Sequence, residues 1–506
     1  MVTLSNGEIY MQLSTLLESL NMVDCYNEGD FFISGIAYHS RDVKENDLFV
    51  CVKGYETDGH LYLEDAMNKG ATVAVVEEFN KTLPIAQYRV ENSRMALAQL
   101  AAAYYDYPSN KMTTVGITAT NGKTTTAFMT DAILEKHGLK TGLLGTINVK
   151  IDHQLIPSDL TTPESLDLQK YFSEMEEKDT SHVMMEVSSA AQEMHRVDTV
   201  DFNIVTLNNI NREHIDTHGS FEAYVEIKTR LIKQASKDSV AVLNLDCVYT
   251  KELLEQTAAT PITFSVEEER GHICVKDLDL STGRAKFNVS VLKPIHTNNQ
   301  IIKPMEFPIE LAIPGLHSVS NSMIAILIGM LNGVPVTTIQ KALKEFRGVN
   351  RRFEFIYEED LTVIDDHFAN PGNIDVTLET ISLMDYKDLQ LIYAVRGQRG
   401  AVVNQENAET FVKWAKKLDV NEIIVTKSIS DVTYRDEVTE SELKAFVDVI
   451  EAANINVLLY DELDEAIHKG IEKATKEDLL LLAGCQGMDH GAKIALTELR
   501  NRPINR

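Results

Sequence analysis

A chain of 506 residues, at roughly 100–200 residues per domain, points to about three domains. Its 44% hydrophobic and 25% charged residues fit an ordinary globular protein with several cores. Lys and Arg number 48 against 76 Asp and Glu, a formal net charge of −28; such a surface repels phosphate backbones and anionic membranes, which argues against a general nucleic-acid binder but leaves room for a local basic pocket.

No run approaches the ~18 apolar residues of a membrane span, so no membrane insertion is expected. The apolar patches around Ile324–Leu331 and Leu479–Ala483 are the size of core elements. Met1–Leu20 lacks the basic start and apolar block of a secretory signal. The five cysteines (Cys25, Cys51, Cys247, Cys274, Cys485) are scattered, odd in number and without a CxxC pair. That usage predicts a reducing, cytoplasmic location with neither a disulfide framework nor a zinc cluster.

Along the chain, residues 1–108 mix short apolar strands (Asp47–Val52, Ala71–Val76) with one helical stretch, and end at Tyr107-Pro108-Ser109. From Thr113 the pattern turns to strand–loop–helix. Val115–Thr118 reads as a buried strand and Thr124–His137 as a helix closed by Gly138. Buried strands are predicted at His182–Val187, Phe202–Leu207 and Val240–Leu245, with a helix near Phe221–Gln234. From about Thr260 to Leu311 the period changes: Ile273–Leu278, Ala285–Leu292 and Met305–Leu311 predict an antiparallel flap, followed by two helices before Arg347-Gly348-Val349. After Arg352 a second series begins, with strands at Thr362–Asp365, Leu389–Val395, Glu422–Thr426, Asn456–Tyr460 and Leu479–Ala483 alternating with four helical patterns. The prediction is an α/β fold of three domains, 1–108, 109–346 and 347–506. The central one is a P-loop domain on a parallel sheet and the last is doubly wound and Rossmann-like.

Thr118-Ala119-Thr120-Asn121-Gly122-Lys123-Thr124-Thr125 lies between a predicted strand and a predicted helix. Phosphate binding needs inward-pointing backbone N–H groups on a tight loop with a helix N-terminus behind it. It also needs a Lys for the β- and γ-oxygens and a hydroxyl for Mg²⁺. Lys123 and Thr124 fit the last two needs, although Ile117 stands where the usual motif has its first Gly. The chain is therefore expected to bind ATP or GTP. Glu186, in Met185-Glu186-Val187-Ser188-Ser189, lies at the C-terminal end of a predicted strand, where open α/β sheets place ligands. A carboxylate there, facing phosphate, is what hard Mg²⁺ coordination requires.

The loop resembles the TGTNGKT loop of the Mur ligases, the ATP-dependent peptide ligases of bacterial cell-wall synthesis, with Ala119 at one glycine position. Within that family the likeness is to the tripeptide-synthetase branch, and it runs over nearly the whole chain. His39-Ser40-Arg41-Asp42-Val43, Asp47-Leu48-Phe49-Val50, Lys53-Gly54 and Asp58-Gly59-His60 are similar to the family's DSRxV, DLF and DGH segments. The resemblance implies that the first domain holds a uridine diphosphate, with Ser40 near the uracil. Thr161-Thr162-Pro163-Glu164-Ser165 resembles the TTP segment that touches the muramyl peptide, making Thr161, Thr162, Ser188 and Arg196 substrate contacts. Asn208–Asp216 resembles TNLSRDHLD, so His214 would join Thr124 and Glu186 at the metal site. Lys228 falls where the family carries a carbamylated lysine, an anion able to bind a second Mg²⁺. Lys123, Glu186, His214 and Lys228 are thus the implied catalytic set.

For the nucleotide, the resemblance implies Thr120, Asn121, Gly122, Lys123, Thr124 and Thr125 on the loop. It adds Asn321 at the adenine, Arg352 from the VPGRFE-like Gly348–Glu354, and Asp366 and Asn370 from Asp365-Asp366-His367-Phe368-Ala369-Asn370-Pro371. That last ending is closer to the sister enzyme that adds the terminal dipeptide. The implied partners are a UDP-linked muramyl peptide and a free amino acid, acting on a monomer or weak oligomer. Relatives that add meso-diaminopimelate carry DNPR and AGKGHE; here Thr426 is followed by Lys427-Ser428-Ile429-Ser430, and the end reads Ala483-Gly484-Cys485-Gln486-Gly487-Met488-Asp489-His490. Arg396-Gly397-Gln398-Arg399-Gly400 stands in for GCGGDRD. These departures leave the acceptor amino acid open. They also keep two alternatives: the same chemistry in a pseudomurein or specialised-metabolite pathway, and a non-catalytic nucleotide-binding paralogue.

Overall fold

A computed structural model describes residues 2–3, 9–54, 57–211, 219–297, 300–348 and 353–501. The chain forms two compact units. The first comprises Met1–Cys274, Val291–Pro304 and Met323–Ile339; the second comprises Val275–Ser290, Met305–Ser322 and Gln340–Arg506.

The first unit opens with a five-stranded sheet in the order Asp24–Tyr26, Ala86–Arg89, Val73–Val76, Asp47–Val50, Gly35–Ala37. All neighbours are parallel except the first pair. Alternate side chains of its strands enter two cores. Leu48, Val50, Val73 and Val75 pack with Leu97 and Leu100 of the helix Ser93–Tyr104; Phe49, Ala74 and Val76 pack on the other face with Leu63 and Ala66. Burial on both faces is why these strands read as continuous apolar runs.

A second sheet of the same unit centres on the strand Thr113–Thr118, flanked in parallel by His182–Glu186 and Ile204–Leu207. Beyond His182–Glu186 come Thr141–Leu144 and an antiparallel hairpin, Asn148–Ile151 with Gln154–Pro157. On the other side lie Val240–Asn244 and Thr260–Ser265, both parallel. The region predicted as an antiparallel flap from about Thr260 therefore opens in parallel. Thr260–Ser265 continues the parallel sheet, and Phe264 and Ser265 pair in parallel with Ile273 and Cys274. The connection from Asn244 to Thr260 holds the short helix Val248–Glu252, which gives the length that a parallel crossover needs. The helix after the central strand spans Lys123–Lys136, and Ser165–Glu177 and Phe221–Lys233 bury Leu168, Phe172, Tyr224 and Leu231 in the sheet's core.

The second unit carries a six-stranded sheet in the order Glu354–Glu358, Thr362–Asp366, Leu479–Gly484, Leu389–Ala394, Glu422–Thr426, Asn456–Tyr460. The first pair is antiparallel and the others are parallel. In the central strand, Leu479 and Leu481 enter one core and Leu480 and Leu482 the opposite one, which explains its four-leucine run. The alternation of strands with the helices Pro371–Ile381, Ala401–Leu418, Glu440–Ala452 and Leu463–Lys473 agrees with the sequence prediction. The edge strand Glu354–Glu358 and the final helix Gly491–Asn501 have no counterpart in it.

Glu442 knits this unit together. It completes a capping box with Thr439, accepting from Thr439 N at 2.9 Å and Thr439 Oγ1 at 2.8 Å. Its other oxygen accepts from Arg399 N and Gly400 N, both at 2.8 Å, pinning the loop before Ala401–Leu418. Burial pushes its pKa up, but these donors outweigh burial and hold the carboxyl below the usual range. A carboxyl with a depressed folded pKa stabilises the fold above its unfolded value, about 4.3, and that contribution is lost as pH falls through the folded value. Glu442→Gln is therefore expected to cost about 2–3 kcal/mol at pH 7. The deficit should shrink toward zero below about pH 4 when thermal or urea unfolding is followed at several pH values.

Candidate active site

The strand Thr113–Thr118 ends in the loop Ala119–Gly122. Gly122, at the N-cap of Lys123–Lys136, has φ 90°, a left-handed conformation that only glycine takes without strain. That turn aims the first helical N–H groups outward at the end of a parallel sheet, a ready anion site. The loop is braced from behind: Asn121 N donates to Asn209 Oδ1 at 3.0 Å, and Asn209 Nδ2 returns a bond to Asn121 O at 3.0 Å. Thr120 Oγ1 meets Tyr224 OH at 2.9 Å and accepts from Asn211 N at 2.9 Å.

Two ammonium groups converge on this loop. Lys123 Nζ donates to Ala119 O at 3.0 Å and Thr120 O at 3.1 Å. Buried Lys228, from the helix Phe221–Lys233, donates to the same Ala119 O at 2.9 Å, with its Nζ 5.1 Å from the centre of the Tyr224 ring. This is the local cationic pocket that the acidic chain as a whole left room for.

Opposite stands Glu186, wholly buried at the end of His182–Glu186. It accepts from Thr124 Oγ1 at 2.8 Å, Thr146 N at 2.9 Å and Thr146 Oγ1 at 3.1 Å. Burial drives its pKa up, while the Thr146 N–H, the Lys123 charge and the Thr124 and Thr146 hydroxyls pull the other way. The oxygen donors Thr124 and Glu186, with a buried carboxylate in need of a cation, fit a hard divalent ion such as Mg²⁺. Lys228 as an ammonium is a donor, not a ligand, and only a modified form would add to that set.

Around Glu186 the predicted substrate residues assemble. Thr162 Oγ1 donates to Glu186 O at 2.8 Å and accepts from Ser188 N at 3.1 Å. Thr161 Oγ1 lies 3.2 Å from Thr146 Oγ1, and Arg196 Nη1 donates to Thr162 O at 3.1 Å. Thr125 lies in the first turn of the phosphate-loop helix. Ser40 sits elsewhere in this unit, on the turn Ser40–Asp42, bonded to the Asp65 carboxylate. His214 falls outside the described residues.

Three predicted nucleotide residues lie in the second unit. Asn321 is buried in the helix Leu316–Leu331. Asp366 ends its strand with a carboxylate committed to Phe353 N at 2.9 Å, His367 N at 2.8 Å and the Thr377 hydroxyl. Asn370 caps Pro371–Ile381, accepting from Asn373 N at 3.0 Å. Arg352 lies outside the described residues. Cys485 is buried, its thiol on Phe368 O at 3.0 Å, and none of the five cysteines is joined in a disulfide.

Sequence reasoning missed Gly145 and Thr146, which follow the strand Thr141–Leu144. The only local signal is a Gly-Thr pair at the end of an apolar strand. A Cβ on Gly145 would overlap Glu186 Oε1, so the residue must be glycine for the carboxylate to sit where it does. Gly145→Ala is expected to displace Glu186 and lower any phosphate-transfer turnover by about 10²-fold, with a stability loss of about 1–3 kcal/mol from overpacking. Steady-state kinetics and a thermal melt check both.

Three family models match: "Mur ligase family, catalytic domain" over residues 32–105, "Mur ligase middle domain" over 117–329, and "Mur ligase, glutamate ligase domain" over 351–486. The UDP-N-acetylmuramoyl-L-alanyl-D-glutamate–2,6-diaminopimelate ligase of Caldanaerobacter subterraneus subsp. tengcongensis is 33% identical over 454 residues, covering 89% of both chains. A solved structure of a ligase of the same description superposes with a TM-score of 0.70 at 19% identity, covering 93% of this chain and 96% of that one. MurF from Acinetobacter baumannii follows at 0.64 and 19%, covering 98% and 100%. On these matches, which extend from the first sheet through the phosphate loop to the last, the chain belongs to the Mur ligase family.

Proposed function

We propose that this chain is an ATP-dependent ligase that adds an amino acid to the peptide carboxylate of a UDP-N-acetylmuramoyl peptide in cell-wall precursor synthesis. The observation that carries this reading is the Thr124–Glu186 contact at 2.8 Å, one residue from Lys123 at a helix N-terminus. The donor carboxylate attacks the γ-phosphorus of ATP, giving an acyl phosphate and ADP. The amine of the incoming amino acid then attacks that carbonyl, and phosphate leaves with one of the donor's carboxylate oxygens. Such transfer depends on positioning and charge neutralisation more than on covalent participation by the protein.

Lys123 meets the β- and γ-oxygens, and the loop from Thr120 to Thr125 cradles them. Thr124 and Glu186, joined by His214 and a carbamylated Lys228, would hold Mg²⁺, which when bound neutralises phosphate charge. Thr161, Thr162, Ser188 and Arg196 hold the peptide, and Ser40 the uridine. Asn321, Arg352, Asp366 and Asn370 serve the nucleotide from their own unit. The proposed division of labour is 1–108 for the uridine diphosphate, 109–346 for ATP and 347–506 for the amino acid, in a cytoplasmic monomer or weak oligomer. Among the described residues no helix is long and apolar enough to cross a membrane.

A second reading, the same chemistry in another pathway, is favoured by the acceptor region, where Lys427-Ser428-Ile429-Ser430 follow the strand Glu422–Thr426 in place of DNPR. The test is ADP release with Mg²⁺, ATP and UDP-MurNAc-L-Ala-D-Glu across a panel of amino acids, with mass detection of the product. Turnover with one amino acid supports the leading reading and names the acceptor. ATP binding without turnover across the panel sinks it and favours another donor or the non-catalytic alternative.

A further inference from the structure

We propose that Glu164 is a positioning residue that aims Arg196 at the anionic donor substrate and, through Arg94, ties it to the first sheet's helix; this rests on the ligase reading above. Glu164 occupies the N-cap of Ser165–Glu177, yet its side chain makes no capping bond, unlike the short polar residues that normally serve there. Its carboxylate instead bridges two guanidinium groups, with Oε1 2.7 Å from Arg196 Nη2 and Oε2 3.5 Å from Arg94 Nη1. All three side chains are only 12–16% exposed, so the pairing is far less screened than a surface ion pair.

Two arginines on one carboxylate leave a net positive charge, suited to an anion. The guanidinium of Arg196 is held at both ends, Nη2 on Glu164 and Nη1 on Thr162 O at 3.1 Å. Its Nε is buried and makes no hydrogen bond among the described residues. A buried N–H without a partner carries its full desolvation penalty, which an anionic acceptor would relieve. On the other side, Arg94 Nε donates to Lys53 O at 2.9 Å, and Lys53 Nζ pairs with Glu77 at 2.9 Å. Thr162 in turn bonds Glu186 O at 2.8 Å. One continuous set of contacts thus runs from the Lys53 loop through Arg94, Glu164 and Arg196 to the acid beside the phosphate loop. It would hold the nucleotide end and the carboxylate end of one long substrate in register.

The test uses full-length wild type, Glu164→Gln and Glu164→Asp, measuring kcat, KM for UDP-MurNAc-L-Ala-D-Glu, KM for ATP and thermal midpoint. Glu164→Gln is expected to raise KM for the UDP substrate by about 10-fold or more, with kcat within about 3-fold, KM for ATP unchanged and the midpoint within a few degrees. Glu164→Asp should recover part of the loss. An unchanged KM for the UDP substrate overturns the proposal, as does a loss that tracks the thermal midpoint and weakens ATP equally, which marks a merely structural residue. Wild type that fails to turn over the UDP substrate overturns the ligase reading and this proposal together. Wild-type turnover matched by an unaltered Glu164→Gln overturns the positioning role alone.

Discussion

Lys123→Ala is expected to lower ADP release by at least about 10³-fold, some 4 kcal/mol of transition-state stabilisation, while the protein stays folded. The ammonium is the group placed to meet charge developing on the β- and γ-oxygens, at a helix start whose N–H groups already favour anions. The fold should tolerate the change because Lys123 bonds two loop carbonyls, Ala119 O and Thr120 O, and the first keeps Lys228 as a second donor at 2.9 Å. The net cost of the lost bonds is about 1 kcal/mol. ADP release and a thermal melt on the same preparation separate the two effects. Retention of turnover would remove the phosphate loop from the chemistry.

Glu186→Gln should cost almost as much activity, about 10²–10³-fold, and should leave stability unchanged or raised. The amide keeps the shape of the side chain and removes a buried charge that burial disfavours. Replacing such a charge with a neutral isostere is often neutral or stabilising. The sign with pH follows from the direction of the shift. A carboxyl whose folded pKa is raised destabilises the fold increasingly as pH rises through its unfolded value, about 4.3, and on up through its folded value. The stability gap between variant and wild type should therefore be widest at neutral pH and close toward pH 4. Thermal melts without nucleotide across that range check the trend, and turnover against Mg²⁺ concentration checks whether the lost acid is a metal ligand.

The parts of this site that were legible in the sequence are those where local pattern and chemistry coincide. The run Thr118–Thr125 joins a buried strand to a helix, and Glu186 ends a strand, so period and residue type pointed to the same place. The third region's strands were legible because burial on both faces forces unbroken apolar runs such as Leu479–Leu482. What stayed hidden depends on contacts distant in sequence. Thr260–Ser265 opens the region whose period reads as antiparallel, and its pairings with Val240–Asn244 and with Ile273 and Cys274 make it parallel. Gly145 matters because Glu186, 41 residues on, fills the space above it. Glu164 belongs to the Thr161–Ser165 run, but its ion pairs with Arg94 and Arg196 have no local signal. Glu442 closes a capping box with Thr439, a feature the sequence analysis did not find, and its two bonds to the Arg399–Gly400 loop have no local signal.

The most direct test of the ligase chemistry is the fate of a carboxylate oxygen. UDP-MurNAc-L-Ala-D-Glu labelled with ¹⁸O in the carboxylate to be ligated is turned over with ATP and the amino acid that supports reaction, and the released phosphate is analysed by mass. Transfer of one ¹⁸O to phosphate for each amide formed is the expected result, because the donor oxygen that attacks the γ-phosphorus leaves with it. Unlabelled phosphate, with the label retained in the donor or lost to water, would contradict an acyl-phosphate route and with it the proposed roles of Lys123, Thr124 and Glu186.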